Sequence, residues 1–135
     1  MITKSWRSKI ISTLRQMTRY YPPIKKAREK SKIGPETHKC PLCQMIIYTG
    51  ARSIEAIRLK YPDAVEGKIV IDHISPIVRI DGQESSWDEI INNMFCDEDN
   101  LQAICKTCHD SKTMAENQER KENKRKRNKE LDANG

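Results

Sequence analysis

Two short cysteine pairs constrain this chain more than any other feature. Cys40-Pro41-Leu42-Cys43 and Cys105-Lys106-Thr107-Cys108 are both C-x2-C, and 61 residues separate them. Four thiolates in two such knuckles meet the tetrahedral preference of zinc. The chain must leave one knuckle and return to the other, so a whole strand-and-helix unit has to sit inside the gap. Four unrelated cysteines, or a redox pair, are the competing readings. Two pairs of equal spacing speak against the first, and no thioredoxin-like βαβ pattern surrounds either pair. A four-cysteine set leaves no open position, so the site is expected to be structural. The remaining Cys96 is expected to be a buried free thiol.

A staple of this kind suits the composition. The 135 residues are 36% hydrophobic and 33% charged, which implies one small domain with a thin core. No apolar run is long enough for a membrane helix, and the N-terminus lacks a signal peptide's apolar stretch. A cytoplasmic setting is expected, where five cysteines favour metal over disulfides. The net charge of +6 is uneven. Residues 1–39 hold 11 Lys/Arg against 2 Asp/Glu, residues 40–111 hold 6 against 12, and residues 112–135 hold 8 against 5. Basic flanks suit a polyanion such as nucleic acid, and an acidic middle suits a cation. Charged tails that merely keep a small protein soluble are the plainer explanation.

Along the chain, Thr3 is placed to cap a helix from Lys4, with Trp6, Ile10, Leu14 and Met17 as its apolar stripe. Arg7, Arg15 and Arg19 lie on other faces. Tyr20-Tyr21-Pro22-Pro23 stops that helix. Ile24–Lys32, with Lys25 and Lys26, is basic and allows at most a short helix. Met45–Tyr48 suits a short strand and Ser53–Tyr61 a helix. Ile77–Ile80 is expected to be extended, with a turn at Asp81-Gly82. Ser86 begins a capping box before Trp87, Ile90, Ile91 and Met94 at i, i+3, i+4 and i+7, the pattern of an amphipathic helix. Asp97-Glu98-Asp99 reads as a solvated turn and Leu101–Ile104 as a strand. Thr113–Glu130 can be helical but lacks an apolar stripe, so its far end is expected to fray.

Ile69-Val70-Ile71-Asp72-His73 is a short buried strand that ends in a carboxylate and an imidazole. Neighbours on a strand point to opposite faces, so a bend is expected to bring both into one site. A carboxylate is a hard metal ligand, and a neutral imidazole can take a proton from water. The cysteine clasp would bring Asp72 near His109, and the pair can bind a second metal with positions left open for water and phosphate. A Lewis acid, a base and open coordination positions are what hydrolysis needs.

Asp72-His73, Asn100-Leu101 and Cys105-x-x-Cys108-His109-x-x-Lys112-Thr113 together resemble the HNH endonuclease signature. Cys40-x-x-Cys43 resembles the zinc-binding variant of that family, and the resemblance spans about residues 38–115. It implies an α+β fold in which a ββα-metal nuclease domain (38–115) is flanked by a basic helical arm (1–37) and a charged tail (116–135). It implies DNA cleavage with His73 as general base, Asp72 and His109 as ligands of the catalytic cation, Asn100 as the orienting residue and Lys112 near the phosphate. Mg²⁺ or Mn²⁺ suits the ligand pair, and Ni²⁺, Co²⁺ or Zn²⁺ is admissible. Arg7, Arg15, Arg19, Lys25 and Lys26 are the expected DNA contacts of the arm. Small free-standing members of the family are frequent in bacteriophages, as homing or packaging-associated nucleases acting in the host cytoplasm. The rival readings are a zinc-stapled DNA-binding module without catalysis and a subunit of a packaging machine.

Overall fold

In a computed structural model, which describes residues 1–134, the chain is α+β with five helices and two small sheets. Helix α1 (Lys4–Met17) starts at Thr3, whose hydroxyl accepts from the Trp6 amide. A 3-10 turn at Thr18–Tyr20 separates it from α2 (Pro22–Ser31). Helix α1 thus ends at Met17, ahead of the prolines expected to stop it, and these start α2 instead. Pro22 and Pro23 fill its first positions, where a missing N–H costs nothing. The basic stretch is thus a helix of 10 residues, longer than the short one its sequence suggests.

Three short antiparallel strands follow: β1 (Lys32–Gly34), β2 (Thr37–Lys39) and β3 (Ile46–Tyr48). The first knuckle forms the turn between β2 and β3. After α3 (Glu55–Lys60), strand β4 (Val65–Glu66) joins β3 in parallel and completes a four-stranded sheet. Strand β5 (Ile69–His73) starts a second sheet and pairs antiparallel with β6 (Leu101–Cys105). Between them lies α4 (Trp87–Met94), capped by Ser86. Helix α5 (Lys106–Asn134) leaves β6 without a loop. Residues 77–80 form no strand and run as a loop instead. Asp97 precedes a single 3-10 turn at Glu98–Asn100. No described helix is long and apolar enough to cross a membrane.

Apolar burial is divided among three clusters, as a chain with few apolar residues requires. Ile47, Ile69, Ala103 and Ile104 pack beside Cys40 and Cys105. Tyr48, Ile54 and Ala64 gather Ile57 and Tyr61 from α3. Ile77, Ile90 and Met94 gather Ile11 and Leu14 from α1. Full burial of an Ile or Met side chain is worth roughly 1.5–3 kcal/mol, so each cluster is modest alone. Helix α2 docks on β6 through Ala27, which is buried. Beside it His38 is buried and bonded to the Ser31 hydroxyl at 2.6 Å. Burial, with the charges of Arg28 and Lys32, pushes the His38 pKa down.

The expected apolar stripe of α1 is corrected in part. Leu14 packs inward, but Trp6, Ile10 and Met17 are exposed, and Ile11 takes the inner position. Arg7 sets this rotation. Its guanidinium lies 4.5 Å from the Trp87 ring centroid, donates to the Ser85 carbonyl and pairs with Glu84. Arg7, Ile11 and Leu14 follow i, i+4, i+7 and share one helical face.

The loop before α4 is clamped onto α5. Asn123 donates to the Ile80 carbonyl at 2.9 Å, and Arg120 donates to those of Val78 and Arg79. Arg127 reaches the Gly82 carbonyl at 3.3 Å. Gly82 has φ +86°, and a Cβ there would stand 3.0 Å from the α5 backbone, so both conformation and space require glycine.

Candidate functional site

The second sheet carries one candidate site at each end. At the end where Ile69 faces Cys105, the two cysteine pairs meet. The sulfurs of Cys40, Cys43, Cys105 and Cys108 all lie within 4.8 Å of one another. A tetrahedron with Zn–S bonds of about 2.3 Å has edges of about 3.8 Å. Cys43 Sγ and Cys105 Sγ are 3.8 Å apart. The backbone builds the cluster. Gln44 adopts φ +65°, its amide donates to the Cys40 carbonyl, and the Cys105 amide donates to Cys40 Sγ.

The thiols are uneven. Burial pushes the Cys40 thiol up, but the N–H groups of Cys105, Cys43 and Leu42 outweigh it and bring its pKa to about 7. Cys108 is pushed up to about 12 by the Cys105 thiol, by burial and by the other sulfurs. The Cys40 thiolate therefore forms readily while Cys43 and Cys108 resist, because like charges crowd one small volume. A dication removes that conflict. The cluster can hold a tetrahedral metal ion such as zinc. Cys96 is not part of it. Contrary to the expected buried thiol, Cys96 is only half-buried, and the Asn100 amide points to its sulfur at 3.6 Å.

At the other end of the pair, Asp72 faces Gln102 and His73 faces Leu101. No bend precedes His73. The strand stays paired through it, and the two side chains leave opposite faces. A cleft of about 260 Å³ wraps this strand end, and Asp72, His73 and His109 all line it. His73 Nε2 lies 2.9 Å from the Met94 carbonyl on α4. A carbonyl only accepts, so Nε2 carries the hydrogen, and in the neutral tautomer this allows the lone pair is on Nδ1. Asn100 ties down the loop that leaves β5. Its Oδ1 accepts from the Ser75 amide at 2.9 Å and its carbonyl from the Ile74 amide at 2.8 Å.

Asp72 is buried, 8% exposed, and is held on two sides. Gln102 Nε2 donates to Oδ2 at 2.9 Å. The Lys112 ammonium lies 3.2 Å from Oδ2 and 3.4 Å from Oδ1. A positive charge thus already rests against both oxygens and neutralises the buried carboxylate. His109 is one-third exposed on α5 and approaches Asp110 at 3.8 Å.

Of the expected DNA contacts, Arg15 lines the cleft. Arg7 is turned onto Trp87, Arg19 onto Tyr20, and Lys25 and Lys26 border a separate shallow groove of α2. A larger groove of about 810 Å³ adjoins the cleft and shares Val78 and Arg120 with it. Lys4, Arg7, Arg79, Arg120, Lys124 and Arg127 line this groove against the single carboxylate of Glu84. Arg7 pairs with Glu84 and Arg79 with Asp81 and Glu89, whereas Arg120 and Arg127 donate to carbonyls and to the Asn117 amide and make no ion pair within 4 Å among the described residues.

Gln102, Glu116 and the Met94 carbonyl escape the sequence reading. The first two had a signal: Gln102 falls opposite Asp72 once the strand register is drawn, and Glu116 is i+4 from Lys112 on one helix. Comparison with family models, curated proteins and solved structures returns no match to this chain.

Proposed function

We propose that the chain is a metal-dependent DNA endonuclease of the HNH kind, with zinc in the cysteine cluster. One observation carries this reading: Asp72, His73 and His109 line a single cleft where an antiparallel strand pair runs into a helix. His73 acts as the general base through Nδ1, its ring fixed by the Met94 carbonyl. Asn100 holds the loop behind it. Asp72 and His109 would hold a divalent cation such as Mg²⁺ or Mn²⁺. When bound, that cation supplies charge neutralisation at phosphorus and stabilises the leaving oxygen. The basic groove beside the cleft supports a polyanionic substrate, since unneutralised guanidinium groups attract phosphates. The third expected role, as a packaging subunit, has no feature here that favours it.

Supercoiled plasmid incubated with and without Mn²⁺ tests the reading, with His73→Ala as control. Conversion to nicked or linear plasmid only with cation and intact His73 is expected. No conversion with Mg²⁺, Mn²⁺, Ni²⁺, Co²⁺ or Zn²⁺ would overturn it. Retarded but uncut plasmid would favour a second reading, a zinc-stapled DNA-binding module, for which the engagement of Asp72 by Lys112 speaks.

A further inference from the structure

We propose that the Lys112 ammonium is the resident counter-ion of Asp72, and that a divalent cation reaches this carboxylate by displacing it toward Glu116. The inference rests on the reading of Asp72 as a cation ligand. A carboxylate this deeply buried is costly without a partner. Lys112 answers that need from α5. Besides both Asp72 oxygens, its Nζ reaches the His73 carbonyl at 2.9 Å and Glu116 Oε1 at 2.5 Å. An ammonium has three hydrogens, and these acceptors use all of them. With Gln102 on Oδ2 as well, three of the about four lone-pair positions of the Asp72 carboxylate are engaged while Lys112 stays, and the ammonium stands at the face a metal would approach.

A metal ion and the ammonium exclude each other here. A Mg²⁺–oxygen bond is about 2.1 Å, which would put the dication within a few ångströms of Nζ. Glu116 gives the ammonium somewhere to go. It stands one turn further along α5, with its carboxylate already in contact. Rotation of the lysine stem about that contact frees Asp72 without moving backbone. The same lysine thus keeps Asp72 neutralised and ordered before the cation arrives, and lowers the apparent affinity of the cation.

Mn²⁺ binding to the full chain, zinc-loaded and without DNA, tests this by calorimetry or by the electron-spin signal of free Mn²⁺. Lys112→Met keeps the apolar stem and removes the charge. It is expected to bind Mn²⁺ about 5- to 150-fold tighter than wild type, the usual span of coupling between two ligands. Unchanged or weaker binding overturns the inference. If Lys112→Met does not fold, Lys112→Arg decides. Its fork grips a carboxylate at two points, so Mn²⁺ should bind more weakly than to wild type, and equal or tighter binding overturns the inference. Asp72→Ala separates the two levels. If it binds Mn²⁺ as wild type does, Asp72 is no ligand and the reading beneath fails. If it loses Mn²⁺ while the Lys112 variants match wild type, only the counter-ion inference fails.

Discussion

The two ends of the β5–β6 pair solve the same problem in opposite ways. At one end four sulfurs converge on a common centre, held there by backbone turns and amide hydrogen bonds. At the other end, some 10 Å along the strand at about 3.3 Å per residue, a carboxylate faces the cleft with an ammonium against it. The first geometry is fixed by the chain and is suited to one tetrahedral ion. The second is held by side chains that can move. A site that only has to hold the fold together can be closed and rigid, whereas one that admits a substrate must keep positions that can be vacated.

The sharpest break of this comparison is at the cysteines. Cys40→Ser or Cys105→Ser is expected to abolish the cooperative thermal transition, since a structural metal contributes folding free energy directly, about 10–16 kcal/mol in small zinc peptides. Elemental analysis of natively purified wild-type protein should find one zinc per chain. Metal-free protein that melts like a folded domain would remove the cluster from its structural role. Next in size is His73→Ala, with a loss of cleavage of roughly 10²- to 10⁴-fold. Its zinc content and melting should stay near those of wild type, because among the described residues the ring bonds only to the Met94 carbonyl. His109→Ala should lose Mn²⁺ binding and retain zinc. Calorimetry that finds Mn²⁺ bound as before would strike His109 from the ligands. Asn100→Ala should leave Mn²⁺ affinity nearly intact and slow cleavage by less than the His73 variant, as expected of a loop brace.

The smallest effect concerns where the polyanion lies. Lys124→Glu with Arg127→Glu should weaken DNA binding and flatten its log–log salt slope by up to about 0.9 per lost phosphate contact. The same reversal at Lys25 and Lys26, on the far groove, should change the slope less. The opposite ranking would move the nucleic-acid surface onto α2.

Much of this was legible before any coordinates. The equal spacing of the cysteine pairs announced the cluster. Alternation by three and four, with Ser86 ahead of it, announced α4, and the β-branched run announced β5. These features are local, and each repeats its signal within a few residues. What was not legible depends on partners distant in sequence. The inner face of α1 is chosen by Arg7 stacking on Trp87, 80 residues away, and a helical stripe alone could not reveal that choice. Strands β1, β2 and β4 are two or three residues long and carry too little alternation to stand out. The position of Lys112 against Asp72 depends on how α5 crosses β5, which a motif places in order but not in space.

The clamp of the Gly82 loop on α5 also divides that helix into two kinetic regimes. From Arg120 to Arg127, opening a turn of α5 means breaking bonds to residues 78–82, so its amides should exchange with solvent only through larger openings. Past Arg127, no described residue makes a side-chain hydrogen bond or ion pair with another element. A helical end of seven residues, 128–134, is far shorter than the roughly 12–15 at which an isolated helix becomes even marginal in water. Amide exchange there should proceed by local fraying, orders of magnitude faster than in the clamped turns from Arg120 to Arg127. A Gly82→Ala variant, strained at φ +86° and pressed against the helix backbone, should move that boundary back toward Asn117, and the retreat of slow exchange along α5 would measure how far one loop residue extends the cooperative unit.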